Sequence, residues 1–355
     1  LSLAAAAWIT SGLWLDPQRH VVQVNASDQA LFEWNLAYGA YALTHLENPF
    51  FTHLLNVPDG VNLAVNTSIT VYAYLFAPLT LWLGPTVTFL VILTLNLAAT
   101  GYAWYWLFDR LLGLPGPDAW FGSAQPRRLA AAVGGLFCGF APGLVSHANA
   151  HLNWTALWIV PLIIWRVLRL RRWRDGILLG VLVAVAFSIA AEALFFTALA
   201  LGVFLACWAG SWRQRAAEAL PGFLRGLASG GLVAGALLAY PLWMHFFGPQ
   251  RFDGTGFDAR VHSEDLLAFG AFPQRSLAGT AGLSSSLAPN ATEETSFFGV
   301  PLLALAVACF VLAYRRSRHR ATVGALAITA GVFAVLSLGP RLKVAGHITD
   351  IPLPY

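Results

Sequence analysis

The sequence predicts an all-α polytopic membrane protein, with about nine transmembrane helices in one integral membrane domain over residues 1–355. Hydrophobic residues make up 57% of the 355 residues and charged residues only 11%, whereas soluble domains carry roughly 25% charged residues. Several apolar runs reach the ~20 residues that a spanning helix needs. The chain begins inside an apolar run and stops in a polar one, so we expect both ends to be incomplete.

The predicted helices follow the apolar segments of the chain. These segments are residues 1–15, 68–84, 86–107, 129–145, 154–168, 176–191, 194–210, 226–246, 297–314 and 321–338. The pair 176–191 and 194–210 is expected to form one hairpin that turns at Ala191–Ala193. Two long polar insertions, residues 16–85 and 247–296, are predicted to be external loops, the first of them with juxtamembrane helices.

The charges of the connectors predict their sides. Most basic residues lie in short connectors, namely Arg110, Arg127 and Arg128; Arg166, Arg169, Arg171, Arg172 and Arg174; Arg213, Arg215 and Arg225; and Arg315, Arg316, Arg318 and Arg320. By the positive-inside rule these connectors are cytoplasmic. The loop that starts at residue 16 is acidic instead, which favours the extracytoplasmic side. The net charge of +4 is small and indicates membrane orientation rather than nucleic-acid binding.

The segment 68–84 decides whether this loop is external. If the segment spans the membrane, the loop is cytoplasmic; if it lies flat in the outer interface, the loop is outside. Pro78 and the interfacial aromatic residues Tyr72, Tyr74 and Trp82 suit a helix that lies at the interface. We therefore expect a flat helix.

Two carboxylates near the start of the loop are candidates for chemistry. Asp28 follows Asn25-Ala26-Ser27, where a helix is expected to start. It is either a capping residue at the helix N-terminus or a general base that takes a proton from an acceptor hydroxyl. Glu33 belongs either to a solvated helix face or to a site, as a second acid that binds a sugar hydroxyl.

A second polar segment, Ser146–Trp154, joins two predicted spans on the outer side. His147 and His151 are four residues apart, so a helix would align them. Two histidines are too few for a zinc site, so they are either polar groups at the interface or hydrogen-bonding partners of a sugar or phosphate. Glu192 interrupts an apolar stretch; an acid inside a membrane indicates function, whereas at a hairpin tip it would lie near the outer surface at little cost.

Cations of the late loops are candidates for binding a lipid phosphate, because Arg and Lys stabilise phosphate charge. These candidates are Arg251, Arg260, Arg275, Arg341 and Lys343. Glu294, in the same loop region, is predicted to contact a sugar. The alternative for each of these residues is an ordinary solvated charge. No P-loop, dinucleotide fingerprint or Gly-x-Ser-x-Gly motif occurs, which leaves ATP-driven and hydrolase functions unsupported.

The order of these features resembles the GT-C class of membrane glycosyltransferases, including the protein mannosyltransferase and aminoarabinose transferase branches. In that class the first span is followed by a long external loop, which starts with an acidic residue and continues into two juxtamembrane helices. Here Asp28 takes the acidic position, Gln29–Leu46 the first helix and Ser68–Leu83 the second. The resemblance is architectural and covers mainly residues 1–130, without an acidic doublet at Asp28. Residues 47–63 also resemble uncharacterised actinobacterial membrane proteins.

The resemblance implies a plasma-membrane glycosyltransferase that works on the extracytoplasmic face. Its donor would be a polyprenyl-phosphate sugar and its acceptor an envelope glycan, lipid or protein. Asp28 would be the catalytic base, the late-loop cations would hold the donor phosphate, and the sugar pocket would be shaped by Glu33, His147, His151, Glu192 and Glu294. No cofactor is indicated, and a divalent metal is left open. Two alternatives remain: a transporter or lipid flippase, and a non-catalytic membrane scaffold subunit.

Overall fold

The computed structural model is mostly helical. It describes residues 1–22, 25–113, 123–149, 151–251, 253–254, 256, 258–276, 278–279, 287–290, 292–294, 296–316 and 319–355. The helices are α1 (Ser2–Leu15), α2 (Ala26–His45), α3 (Thr70–Leu75), α4 (Ala77–Leu83), α5 (Pro85–Leu112), α6 (Ala124–Phe140), α7 (Pro142–His147), α8 (Ile159–Val167), α9 (Trp173–Ser211), α10 (Arg213–Leu237), α11 (Ala239–Phe247), α12 (Val300–Arg316) and α13 (Arg320–Ser337). Two small antiparallel hairpins pair β1 (Phe51–Thr52) with β2 (Val61–Asn62) and β3 (Arg341–Val344) with β4 (His347–Pro352).

Several helices are long and apolar enough to cross a membrane, so the protein is an α-helical membrane protein. In the described part of the chain there are five of them, namely Pro85–Leu112, Ala124–His147, Trp173–Ser211, Arg213–Leu237 and Arg320–Ser337. α1 and α12 are apolar but shorter. The expected count of about nine spans is therefore not confirmed. The difference arises at α1 and α12, which are shorter than the candidate spans, at the segment 154–168, and at α9, which counts once but covers two predicted spans.

The segments 176–191 and 194–210 of the predicted hairpin both lie in α9, which consists of two helices that meet at a kink. The backbone of α9 leaves helical geometry only at Ala190, with φ −151° and ψ 76°. Leu194 and Leu201, beyond this break, pack on the same buried cluster as Leu179 before it. α9 is therefore bent at Ala190, one residue before the predicted turn.

The prediction of one spanning helix over 154–168 is wrong. It consists of a 3₁₀ turn followed by the nine-residue helix α8, which is too short to cross the hydrocarbon core. The segment instead runs along α5. The side-chain amide of Asn96 donates to Thr155 Oγ1 at 3.1 Å, and further along α5 the rings of Trp106 and Trp165 pack with centroids 5.6 Å apart.

The segment 68–84 forms the short helices α3 and α4, which meet at Phe76. Their six and seven residues are too few for either to cross a membrane. α3 is anchored inside the bundle, because the Tyr72 hydroxyl donates to Asn96 Oδ1 at 2.5 Å and accepts from Trp158 Nε1 at 2.9 Å. Buried contacts of α3 with α2 and α5 then hold α2, with Asp28 in its first turn, against one end of α5.

Glycines bring α9 and α10 into close contact. A Cβ atom at Gly176 would overlap the carbonyl oxygen of Gly226, and one at Gly180 would overlap that of Gly230. Gly176 and Gly180 are four residues apart in α9, and Gly226 and Gly230 are four apart in α10. This is the small-xxx-small spacing that lets membrane helices approach closely. The packing of these two helices therefore depends on the absence of side chains at these positions.

The two ends of the bundle differ in chemistry. At one end of α5, Thr86 Oγ1 donates to Glu33 of α2 at 3.1 Å. At the other end the Arg110 guanidinium lies 4.7 Å from the Trp106 ring centroid, and Arg169 lies 4.5 Å from that of Trp165. The rise of an α-helix places Thr86 and Arg110 about 36 Å apart, which is comparable with the ~30 Å thickness of a bilayer core.

The two predicted external loops contact each other at the Glu33 end of the bundle. Asn62 donates from its side-chain amide to the carbonyl oxygen of Pro249 at 2.8 Å. Gln250 Nε2 in turn donates to the carbonyl oxygen of Gly60 at 2.7 Å. The first and second loops therefore lie on one face of the protein.

Candidate functional site

Asp28 lies in the first turn of α2 and does not cap it. The cap is Asn25, whose side-chain oxygen accepts from the backbone N–H of Asp28 at 3.3 Å. The Asp28 carboxylate instead faces the segment after α7, where Oδ2 lies 3.1 Å from His151 Nε2. The structure thus brings together Asp28 and His151, two predicted site residues that lie far apart in the sequence.

His151 connects Asp28 to His147. The two imidazoles meet through their Nδ1 atoms at 3.0 Å. An ionised carboxylate only accepts hydrogen bonds, so His151 Nε2 carries a proton when Asp28 is ionised. In a neutral His151 ring Nδ1 is then the acceptor, and His147 Nδ1 must be the donor. Asp28, His151 and His147 form a continuous hydrogen-bonded chain, which we call the acid–histidine chain.

Packing holds both histidines in place. His147 is the last residue of α7, and its carbonyl oxygen accepts from the backbone N–H of His151 at 2.8 Å. The His147 ring also stacks on Trp154, with centroids 5.5 Å apart and an interplanar angle of 18°. The side chains of His151 and Asp28 remain 26% and 30% exposed, so a bound molecule can reach the carboxylate.

The second loop contacts the residue next to His147. Arg275 Nη2 donates to Ser146 Oγ at 3.2 Å, and Ser146 Oγ donates to the carbonyl oxygen of Thr292 at 3.0 Å. Burial lowers the pKa of Arg275, and the nearby Glu294 carboxylate partly offsets this. Arginine remains charged under such conditions because its intrinsic pKa is so high. The Arg275 guanidinium is thus held at Ser146, which precedes His147 in the sequence.

Glu294 is buried and helps to shape this loop. Its Oε2 accepts from the backbone N–H of Gln274 at 3.0 Å. The predicted sugar contact of Glu294 stays a prediction, but the structure places the carboxylate beside the segment that carries Arg275.

Glu33 lies one turn beyond Asp28 on α2 and holds two other groups. Its Oε1 accepts from Gln29 Nε2 at 2.7 Å and its Oε2 from Thr86 Oγ1 at 3.1 Å. Gln29 Oε1 in turn accepts from the backbone N–H of Val22 at 2.8 Å. Glu33 therefore joins α2 to the start of α5 and to the chain that precedes α2, which positions Asp28.

Glu192 is exposed and lies two residues after the break in α9. Among the described residues, no hydrogen bond or ion pair joins it to the acid–histidine chain. Its predicted role in a sugar pocket stays untested.

Two of the predicted phosphate-binding cations are paired with acids. Arg260 Nη2 lies 2.7 Å from Asp258 Oδ2, and the hydrogen bonds from Arg260 lower the pKa of Asp258 to about 2. Arg341 Nη1 lies 3.2 Å from Asp350 Oδ1. Their charges are thus balanced locally, away from the contacts that Arg275 makes.

The other two cations contact backbone carbonyl oxygens. Arg251 Nη1 donates to Phe246 O at 3.4 Å, and the buried Lys343 Nζ donates to Val261 O at 3.4 Å. Of the five predicted cations, Arg275 is the one whose described contacts reach Ser146 beside the acid–histidine chain. The partners that sequence reasoning missed are Ser146, Thr292, Gln29 and Thr86. Ser146 and Thr292 lie in polar segments that the sequence singled out, and Gln29 and Thr86 lie in predicted helices, but no pattern in the sequence indicated their contacts.

Within the described ranges, no group of three or more His, Cys, Asp or Glu side chains has an arrangement that could hold a metal ion. The acid–histidine chain is a line of hydrogen bonds, in which two imidazole nitrogens face each other. Each imidazole donates toward the carboxylate, so the line orients His151 and stabilises the negative charge of Asp28.

The fold and this site define an α-helical membrane protein that carries a partly exposed carboxylate–imidazole chain at one end of its bundle. The whole chain, residues 1–355, matches the model of a domain of unknown function, DUF6311, and the protein belongs to that family. No curated protein and no solved structure matches the chain.

Proposed function

We propose that the protein is a membrane glycosyltransferase that moves a sugar from a polyprenyl-phosphate donor to an envelope glycan, lipid or protein on the extracytoplasmic face. The observation that carries this proposal is the contact of 3.1 Å between Asp28 Oδ2 and His151 Nε2. It puts a partly exposed carboxylate and an imidazole that donates to it together at the end of α5 opposite the arginine clusters. Positive-inside orientation makes that end extracytoplasmic.

The chemistry needs a base and a cation. The acceptor hydroxyl oxygen forms a bond to the anomeric carbon as the bond from that carbon to the phosphate oxygen breaks, and the polyprenyl phosphate leaves with the electron pair. Asp28 takes the hydroxyl proton, as a general base does. The His151 ring donates from Nε2 to Oδ2 of Asp28, which orients the carboxylate. The carboxyl is 30% exposed, so it returns the proton to solvent after the transfer.

Arg275 supports the second requirement. Charge builds up on the phosphate oxygens as the donor leaves, and a preorganised cation stabilises such charge. Arg275 donates to Ser146 Oγ at 3.2 Å, so its guanidinium is already oriented before a donor binds. Arg260 and Arg341 are less suited to bind the phosphate, since each would first have to break its ion pair with a carboxylate.

The test is sugar transfer by the purified protein and its Asp28→Asn variant. The donors are a panel of polyprenyl-phosphate hexoses and pentoses labelled in the sugar, and the acceptor is envelope material from a strain that lacks the gene. We expect the wild-type protein to transfer label with one of these donors, and Asp28→Asn to lose activity by about 10²- to 10⁴-fold.

Asp258→Asn is the matched control, because it removes a carboxylate of the second loop whose described partner is Arg260 rather than the acid–histidine chain. It should retain activity. Wild-type transfer by Asp28→Asn would contradict the role of Asp28. If no donor in the panel gives transfer, and thermal unfolding shows that the protein is folded, the result would favour a non-catalytic scaffold.

A further inference from the structure

A cleft of about 360 Å³ opens beside the acid–histidine chain, and no sequence argument singled it out. Its apolar wall comes from α1 and α5, and its polar rim comes from the chain before α2 and after α7. The lining residues that matter here are Ile9, Leu13, Leu93, Arg19, His20 and Asn149. The volume lies in the range of sites that bind small molecules.

The cleft leads to Asp28 by two short connections. Val22 lines the cleft, and its backbone N–H donates to Gln29, the residue after Asp28. Asn149 lines it from the other side and precedes His151, the partner of Asp28, by two residues. The cleft therefore adjoins the segments that carry Asp28 and His151.

The polar rim offers a cation and an imidazole nitrogen. Arg19 is 86% exposed and its contact with Asp16 is long, at 3.8 Å, so most of its guanidinium donors point to solvent. His20 Nδ1 lies 2.6 Å from the carbonyl oxygen of Gly12. A carbonyl only accepts, so Nδ1 carries a proton; Nε2 then faces a ligand as an acceptor in the neutral ring and as a donor to phosphate in the protonated ring.

We propose that this cleft binds the phosphate and the first isoprene units of a single-chain lipid phosphate. Arg19 and His20 hold the phosphate, and the hydrocarbon lies along Ile9, Leu13 and Leu93. Charge complementarity at the rim and an apolar wall on a membrane helix together select this occupant. The inference rests on the proposed function, since it assigns the donor lipid a cleft at the start of the chain in addition to the phosphate contact proposed for Arg275.

Gly12 allows the cleft to be blocked without disturbing the fold. It lines the cleft, and a Cβ atom built on it meets no other atom within 4 Å. Gly202 of α9 is equally open by the same criterion and does not line the cleft. Gly12→Leu and Gly202→Leu are therefore a matched pair, in which only the first fills the proposed site.

The experiment measures binding of farnesyl phosphate to the purified full-length protein in lipid nanodiscs by titration calorimetry. We expect Gly12→Leu and Arg19→Gln each to weaken binding about tenfold or more, while Gly202→Leu binds like the wild type. Farnesol, which lacks the phosphate, should bind at least about tenfold more weakly than farnesyl phosphate. Phosphatidylglycerol should not displace farnesyl phosphate.

Three results would overturn the assignment. They are wild-type binding by Gly12→Leu, equal binding of farnesol and farnesyl phosphate, and equal displacement by phosphatidylglycerol, which would make the cleft a site for bilayer phosphodiesters. Binding is measured without turnover, so it is independent of the Asp28→Asn assay. If Gly12→Leu loses binding while Asp28→Asn transfers sugar at the wild-type rate, Asp28 is not the base but the assignment of the cleft stands.

Discussion

Asp28 and His151 meet at 3.1 Å although one opens α2 and the other follows α7. The contact forms because α3 packs between α2 and α5, where Tyr72 donates to Asn96, and because Asn96 also donates to Thr155 in the turn after His151. Both hydrogen bonds are buried, and a buried hydrogen bond is costly to leave unmade. The geometry of the carboxylate is therefore set by the bundle and not by the loop in which it lies.

Asp28 and His151 should act as a unit in catalysis. His151→Gln removes the imidazole that donates to Asp28 Oδ2 and orients it, so we expect sugar transfer to fall by about tenfold to a hundredfold. The double variant with Asp28→Asn should be no slower than Asp28→Asn alone, because residues that act together lose their effects non-additively. Steady-state kcat/KM for the four proteins measures this; multiplicative losses would contradict a shared role.

Arg275 and Arg260 should differ in their effects. Arg275→Gln removes the cation next to the acid–histidine chain, so we expect transfer to fall by about tenfold to a hundredfold. Arg260→Gln breaks an exposed ion pair, which contributes little to stability or activity. The comparison uses the same labelled donor for both variants. Equal losses in the two would mean that the late-loop cations act through overall charge.

The glycine contacts between α9 and α10 should be sensitive to side-chain size. Gly176→Leu places atoms where the Gly226 carbonyl oxygen lies, and overpacking of this kind typically costs about 1–3 kcal/mol. Gly210→Leu, at a position with no atom within 4 Å of a Cβ, is the control. Thermal unfolding in detergent should show a lower Tm for Gly176→Leu alone, and an unchanged Tm would argue against this interface.

Glu264 should make stability depend on pH. Burial raises the pKa of Glu264, and a hydrogen bond from Ser296 partly offsets it. Between the unfolded and folded pKa values the folded state therefore holds more protons, so stability falls as pH rises through that window. Glu264→Gln removes this titration. The Tm of the wild type should decline more than that of Glu264→Gln as pH is raised from about 4.5, the usual range for glutamate; parallel curves would contradict the assignment.

The apolar runs determined the class of protein, because a hydrocarbon interior accepts long apolar helices whatever their partners. α1, α5 and α13 follow predicted segments closely for this reason. The start of a helix near Asp28 was also readable, since first turns depend on neighbouring residues, although the cap is Asn25 and not Asp28.

Only the tertiary structure decided the rest. The segment 154–168 is apolar enough to span, yet hydrogen bonds from Asn96 and Thr100 hold its start in a 3₁₀ turn. The contact of Asp28 with His151, the link from Ser146 to Arg275 and the cleft beside Gly12 join segments far apart in the chain. Such contacts depend on how helices pack, and packing is a property of side chains that meet in space rather than of their spacing in sequence.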